Sequence, residues 1–253
     1  MVVHLVVNAS VLESPAAFQK NVYSIHSLGS LLPLVEWAFI FLPLLFHAII
    51  GVVIVGGGMP NSNQYRYGPN YRYTLQRATG MIAFLFIVIH VFHMHGWLHA
   101  DFWLEKVARP LGGAKFAPYN AASTAGAALQ TTVLVVLYLV GMLSCVYHLA
   151  NGLWTMGITW GVWTSPAAQA RASVVCTVFG ILLGVVSLGA LFGMRAVGQG
   201  ESLQEAIQIE DRLYHHKVES GELEPNEHKR AAPVHETEGE MAQSQPSESI
   251  NSQ

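Results

Sequence analysis

Four histidines sit in otherwise apolar runs: His4 in VVHLVV, His47 in LLFHAI, His90 in IVIHVF and His148 in CVYHLA. An imidazole in such surroundings costs free energy unless it finds a polar partner. For one such residue, a hydrogen bond to a neighbouring helix is the ordinary partner. Four of them, one in each of four separate runs, call for something shared, and imidazole nitrogen is a common metal ligand. The other eight of the twelve histidines differ in context. His26 lies in a polar linker, and His93, His95 and His99 follow His90 in HVFHMHGWLH. His215, His216, His228 and His235 lie in an acidic tail.

Depth sorts the four into pairs. Consecutive membrane-crossing segments alternate in direction. Taking the outer face as the one where the first segment ends, His4 and His90 each stand about 7 residues, ~10 Å, short of it. His47 and His148 stand ~12 and ~9 Å short of the inner face by the same helical rise. His4 therefore pairs with His90, and His47 with His148, at levels ~10 Å apart in a hydrocarbon core of ~30 Å. Two imidazoles per level, with no carboxylate among them, suit a six-coordinate haem iron, whose porphyrin supplies the remaining nitrogens. A zinc site takes three or four protein ligands. Two such centres, one above the other, make an electron path through a membrane. Gly51, Gly80, Gly141, Ser144 and Gly152 lie near the ligands. They either let a flat macrocycle approach the backbone or serve ordinary helix packing.

The elements that must hold these residues are long apolar segments. Of 253 residues, 52% are hydrophobic and 11% charged, where a soluble domain carries about 25% charged residues. Residues 31–55, 79–98, 125–156 and 172–196 are each long and apolar enough to cross a bilayer. With the opening fragment, residues 1–12, they make five expected spans. Helices satisfy their own backbone hydrogen bonds in lipid, so an all-α membrane protein is expected, with four of its helices bundled around the metal centres. Linkers are expected over residues 13–30 and 99–124.

Charge divides the chain. Residues 1–200 hold nine basic and four acidic side chains, whereas residues 201–253 hold four and twelve. This sets an apolar domain, 1–197, apart from an acidic tail, 198–253. Leu203, Ile207 and Leu213 mark a short amphipathic helix at the start of the tail. The Glu-, Ser-, Pro- and Gln-rich stretch beyond about Gly221 is expected to be disordered. The loops after the second and third apolar segments hold three basic residues each, so the positive-inside rule gives no orientation. Cys145 and Cys176 lie inside apolar segments with no C-x-x-C spacing, as buried thiols do.

Four motifs carry a resemblance: HLVVN around His4, FIFLPLLFHAIIGV around His47, QRATGMIAFLFIVIH ending at His90, and YHLANGLWTMGITWGVWTSP starting beside His148. Across residues 1–197 the sequence resembles the di-haem cytochrome b membrane-anchor subunits of succinate dehydrogenases, the succinate:menaquinone oxidoreductases, to which fumarate reductase anchors are related. The resemblance implies five transmembrane helices and two b haems. It places His47 and His148 on the inner haem and His4 and His90 on the outer. It implies a flavoprotein subunit and an iron–sulfur subunit as partners, menaquinone as electron acceptor, and no turnover by this subunit alone. It puts the amino terminus and the second-to-third loop on the cytoplasmic side of a bacterial cytoplasmic membrane, with the carboxyl tail outside. It also implies that the first helix starts ahead of HLVVN. The first helix is thus expected to be truncated here, with about 20–30 further residues upstream, enough to complete a span. No nucleic-acid partner is expected.

Further residues acquire expected roles in that frame. Glu36, the carboxylate inside the second segment, lies eleven residues before His47, near the outer mouth. It is either a proton donor to quinone or an interfacial carboxylate facing water. Arg66, Arg72, Gln76 and Arg77 lie at the inner face, where they either pair haem propionates, since guanidinium matches carboxylate geometry, or bind lipid phosphate or the iron–sulfur partner; Arg77 is the candidate partner for a propionate. His93, His95 and His99 are expected at the outer rim as interfacial side chains, with a surface metal site or a proton relay as the alternative, and their nearness to His90 makes them its rivals as ligand. The rival readings are an anchor of the fumarate reductase type running in the opposite direction, another di-haem anchor such as that of a formate dehydrogenase or hydrogenase, and a cofactor-free His-rich membrane transporter.

Overall fold

The computed structural model describes residues 1–58 and 63–231, and its regular structure is helical, with one isolated bridge between Ala117 and Asn120. The labelled helices are α1 (Val2–Ala9), α2 (Pro15–His26), α3 (Gly29–Gly56), α4 (Gly68–His95), α5 (Ala121–Ala128), α6 (Thr132–Thr159), α7 (Pro166–Val197) and α8 (Gly200–Glu219). Helices α3, α4, α6 and α7 are 28, 28, 28 and 32 residues long and apolar enough to cross a membrane. The opening helix, continued by a 3-10 turn, runs Val2–Leu12 and is shorter. Four spans are thus established by length and composition.

Local chemistry explains the boundaries. Ser14 caps α2 by accepting the Ala17 amide at 3.1 Å, and Pro15 opens it with a pre-set φ. Ser165 and Pro166 do the same for α7. α4 also opens on a proline and ends at Gly96, in the left-handed region at φ 74, whose amide bonds to Phe92 O. In α3 a π turn over Trp37–Phe41 bonds the Leu42 amide to Trp37 O. It precedes Pro43, which has no amide to give and whose ring crowds the carbonyl four residues back; a wider turn relieves both.

Three expectations change. Residues 13–30 hold a buried-faced helix, α2, with Phe18, Gln19, Val22 and Tyr23 turned inward, rather than a simple linker. The linker expected over 99–124 contains a short α/π turn over Asp101–Trp103 and Leu104–Ala108, and the run taken as one segment from residue 125 breaks into α5 and α6. The break is tertiary in origin. Gly126 lies against Gly198, where a Cβ would meet its backbone nitrogen at 2.7 Å, and Gln130 Nε2 donates to both Gly126 O and Arg195 O. Third, residues 222–231 fold back onto the protein: the Tyr119 amide donates to Lys229 O at 2.9 Å, and Arg230 pairs with Asp211 at 2.7 Å. The tail from 232 onward lies outside the described residues.

Packing is densest at the end where α1 finishes, termed the outer end. There Val11, Phe18, Phe86, Leu129, Tyr138 and Met194 belong to one buried cluster joining α2, α4, α6 and α7. α1 lies on α7, with Leu12 against Gly189 and Gly193 and Leu5 against Leu183 and Val146. α2, α5 and α8 form a layer over this end. The first amides of α5, which have no intrahelical acceptor, are taken by two fully buried side chains. Gln19 accepts from Ala121, and Glu210 accepts from Ala122 (2.6 Å), from the Ser123 amide (3.2 Å) and from the Ser123 hydroxyl (2.5 Å).

α3 is held differently. It is apolar on all sides, and none of its most apolar 18-residue stretch is buried. It is tied to α4 by Arg77, whose Nη2 donates to Ile54 O at 3.0 Å and Val55 O at 2.6 Å, two carbonyls of its last turn. His47 on α3 also packs its ring on His148, with centroids 6.0 Å apart.

Candidate metal centres

His4 on α1 and His90 on α4 face each other with ring centroids 5.9 Å apart and planes at 76°. His47 on α3 and His148 on α6 do the same at 6.0 Å and 73°. Helices α4 and α6 run antiparallel, and their register sets the two levels. Gly80 on α4 lies opposite His148; ten residues along, His90 lies opposite Tyr138, ten residues back on α6. Ten residues of helix are ~15 Å.

Each pair has a partner that aims one ring. The Nδ1 of His148 lies 3.0 Å from Gln76 O. A carbonyl only accepts, so Nδ1 carries the proton and Nε2 keeps its lone pair, the state a metal requires. The carbonyl is itself placed by a network. Gln76 Nε2 donates to His148 O at 3.1 Å, Asn151 Nδ2 donates to Gln76 Oε1 at 2.8 Å, and Arg72 Nε donates to Asn151 Oδ1 at 2.8 Å. Arg72 is held by Ser173 on α7 and by the face of Trp154 at 3.7 Å. At the other level, Tyr138 Oη lies 3.2 Å from His90 Nδ1 and 2.8 Å from His93 Nδ1.

The residues fit a haem iron. A metal ~2 Å from a nitrogen of each of two opposed imidazoles holds the ring centroids ~6 Å apart, and both pairs stand at that separation. Among the described residues no group of three or more His, Cys, Asp or Glu side chains is placed to hold a metal ion. Each pair offers two nitrogens, the number a porphyrin-bound iron leaves open. The small residues near the ligands divide. A Cβ on Gly51, one turn beyond His47, would have no atom within 4 Å, and one on Gly80 would press on His148. Gly141 serves helix packing, since a Cβ there would strike the ring of Phe86.

The remaining sequence candidates are dispersed. Glu36 is half-buried on α3 just before the π turn, and His99 is its ionisable neighbour. His93 is buried against Tyr138, whereas His95 packs its ring on Phe116 and His99 is exposed. Arg66 is exposed, and Arg77 holds the end of α3. At the outer layer, burial first, then Lys229 and His99, lowers His26 to about 4. Sequence reading missed Tyr138, Asn151 and the part played by Arg72. A hydroxyl or amide within an apolar run, ten residues before or three after a ligand histidine, was the available signal.

Four long apolar helices define a multi-pass membrane type of protein, and imidazoles opposed at two levels are an arrangement that a membrane cytochrome b would use. Over 192 residues, 76% of this chain, it is 33% identical to the succinate dehydrogenase cytochrome b558 subunit of Bacillus subtilis (strain 168), covering 87% of that protein. The chain belongs to the family of succinate dehydrogenase cytochrome b subunits, the membrane-anchor cytochromes of that oxidoreductase complex. No protein-family profile matches it.

Proposed function

We propose that this protein anchors a succinate:quinone oxidoreductase in the bacterial cytoplasmic membrane and conducts electrons from an iron–sulfur subunit to menaquinone near the outer face. The observation that carries the reading is the pair of imidazole–imidazole separations, 5.9 and 6.0 Å, at two levels of one bundle. His47 and His148 hold the inner haem b, and His4 and His90 the outer. Haem supplies a one-electron redox centre at each level; the protein supplies position and potential. The Gln76 carbonyl keeps the His148 proton on Nδ1. Arg77, anchored at the end of α3, is placed beside the inner level and is the side chain proposed to meet a propionate. Glu36, with His99 beside it, is the group proposed to pass protons to quinone. With α1 counted as a fifth membrane segment, the outer layer of α2, α5 and α8 lies outside the membrane on the side opposite the iron–sulfur partner. The flavoprotein subunit oxidises succinate, and this subunit alone turns nothing over.

The test is a haem-to-polypeptide ratio on the purified complex, with reduced-minus-oxidised spectra. Two low-spin b haems per chain are expected, and one or none rejects the assignment.

A further inference from the structure

The two levels are aimed by different acceptors, and the difference has a chemical consequence. At the inner level the acceptor for His148 Nδ1 is the main-chain carbonyl of Gln76, which has no proton to pass on. At the outer level it is a hydroxyl. Tyr138 is 4% exposed, and its ring packs against Phe86, His90 and His93 at 5.3, 5.5 and 5.7 Å. Its oxygen lies between two Nδ1 atoms, at 3.2 Å from His90 and 2.8 Å from His93.

A hydroxyl has one proton to give and lone pairs to accept with. If His90 binds iron through Nε2, its proton is on Nδ1, and Tyr138 Oη must accept it. The hydroxyl proton then has one acceptor within reach, His93 Nδ1, so His93 carries its own proton on Nε2. One ligation thus sets the tautomer of two histidines along the directed chain His90 to Tyr138 to His93. A donor whose acceptor is itself donating makes a stronger bond. An imidazole that donates from Nδ1 is a more basic ligand at Nε2. A more basic ligand favours ferric over ferrous iron and so lowers the reduction potential.

We propose that Tyr138, backed by His93, is the positioning residue of the outer haem: it aims His90 and holds that haem at a lower potential than a free imidazole would. His93 is thereby a support for the ligand rather than a rival to it. The inference rests on the proposed pairing of His4 with His90 about a haem.

The experiment is a redox titration of the assembled complex, following both haems optically and by the EPR signals of their ferric states. In Tyr138→Phe the ring keeps its packing and loses the oxygen. The outer haem should shift to a more positive potential with an altered EPR signal, while the inner haem keeps both. In His93→Leu the hydroxyl remains and loses its acceptor. The outer potential should rise by a smaller amount, and this variant decides the matter if Tyr138→Phe fails to assemble. Two haems with unmoved outer potentials in these variants overturn the inference and leave the haem pairing standing. An equal shift of both haems also overturns it, as the mark of general loosening. Fewer than two haems in the unaltered complex overturns the pairing itself, and the inference with it.

Discussion

Gly80 stands so close to His148 that a Cβ at that position would lie 2.7 Å from the imidazole Cε1 and 3.0 Å from Nδ1. The ring cannot retreat freely, because Nδ1 is bonded to Gln76 O one turn earlier on the same helix as Gly80. Overpacking of this sort costs about 1–3 kcal/mol, roughly a 5- to 160-fold loss in an equilibrium it opposes. Gly80→Ala should therefore weaken inner-haem binding, or shift that haem's spectrum, and leave the outer haem untouched. Haem content and low-temperature difference spectra of the variant check this; an unaltered inner haem would show that His148 sits elsewhere when iron is bound.

Pairing makes a prediction of identity. His47→Ala and His148→Ala should remove the same one of two haems, and His4→Ala and His90→Ala the other. Spectra of the four variants decide it. Loss of both haems in every variant, or of different haems within a pair, rejects the arrangement.

Glu36 lies on α3 just before the π turn, with His99 as its ionisable neighbour. Glu36→Gln keeps shape and hydrogen bonding and removes the titrating proton. Quinone reduction by the assembled complex should slow by tenfold or more, about 1.4 kcal/mol in barrier, with both haems retained. Turnover equal to that of the unaltered complex would assign Glu36 to the interface alone.

Glu210 is pushed up to about 7 by burial, against the pull of the Ser123 hydroxyl and the Ala122 and Ser123 amides. Its value in an unfolded chain is about 4.3. The folded state therefore keeps a proton that the unfolded chain releases. Stability of the outer layer should fall as pH rises from about 4.5 to about 7 and level off above that, by on the order of 1–3 kcal/mol. Hydrogen exchange at the Ala122 and Ser123 amides, corrected for its intrinsic pH dependence, should lose protection across that window. Glu210→Gln should abolish the loss. Equal protection at pH 5 and pH 8 in the unaltered protein would reject the account.

What could be read from the sequence was what lies on a single segment. Hydropathy marked α3, α4, α6 and α7, because twenty or more apolar residues in a row have few other uses. Counting residues from segment ends was enough to place His4 with His90 and His47 with His148 as neighbours. What could not be read depends on contacts between segments. α2 is short and only one of its faces is apolar, so its composition resembles a linker; the Ser14–Pro15 step was its one local sign. The break between α5 and α6 has no strong breaker residue and arises where Gly126 meets Gly198. Arg77 was assigned by its depth, yet the carbonyls it binds belong to α3. Tyr138 passed as one aromatic among many until the register of α4 against α6 put it opposite His90.

The carboxylate that closes the amide end of α5 comes from α8, which leaves the ribosome after every bilayer-length helix has been made. Until then the Ala122 and Ser123 amides lack their acceptor. The outer lid can therefore be sealed only after translation has passed the last span, and the order of synthesis makes its closure a late step in maturation.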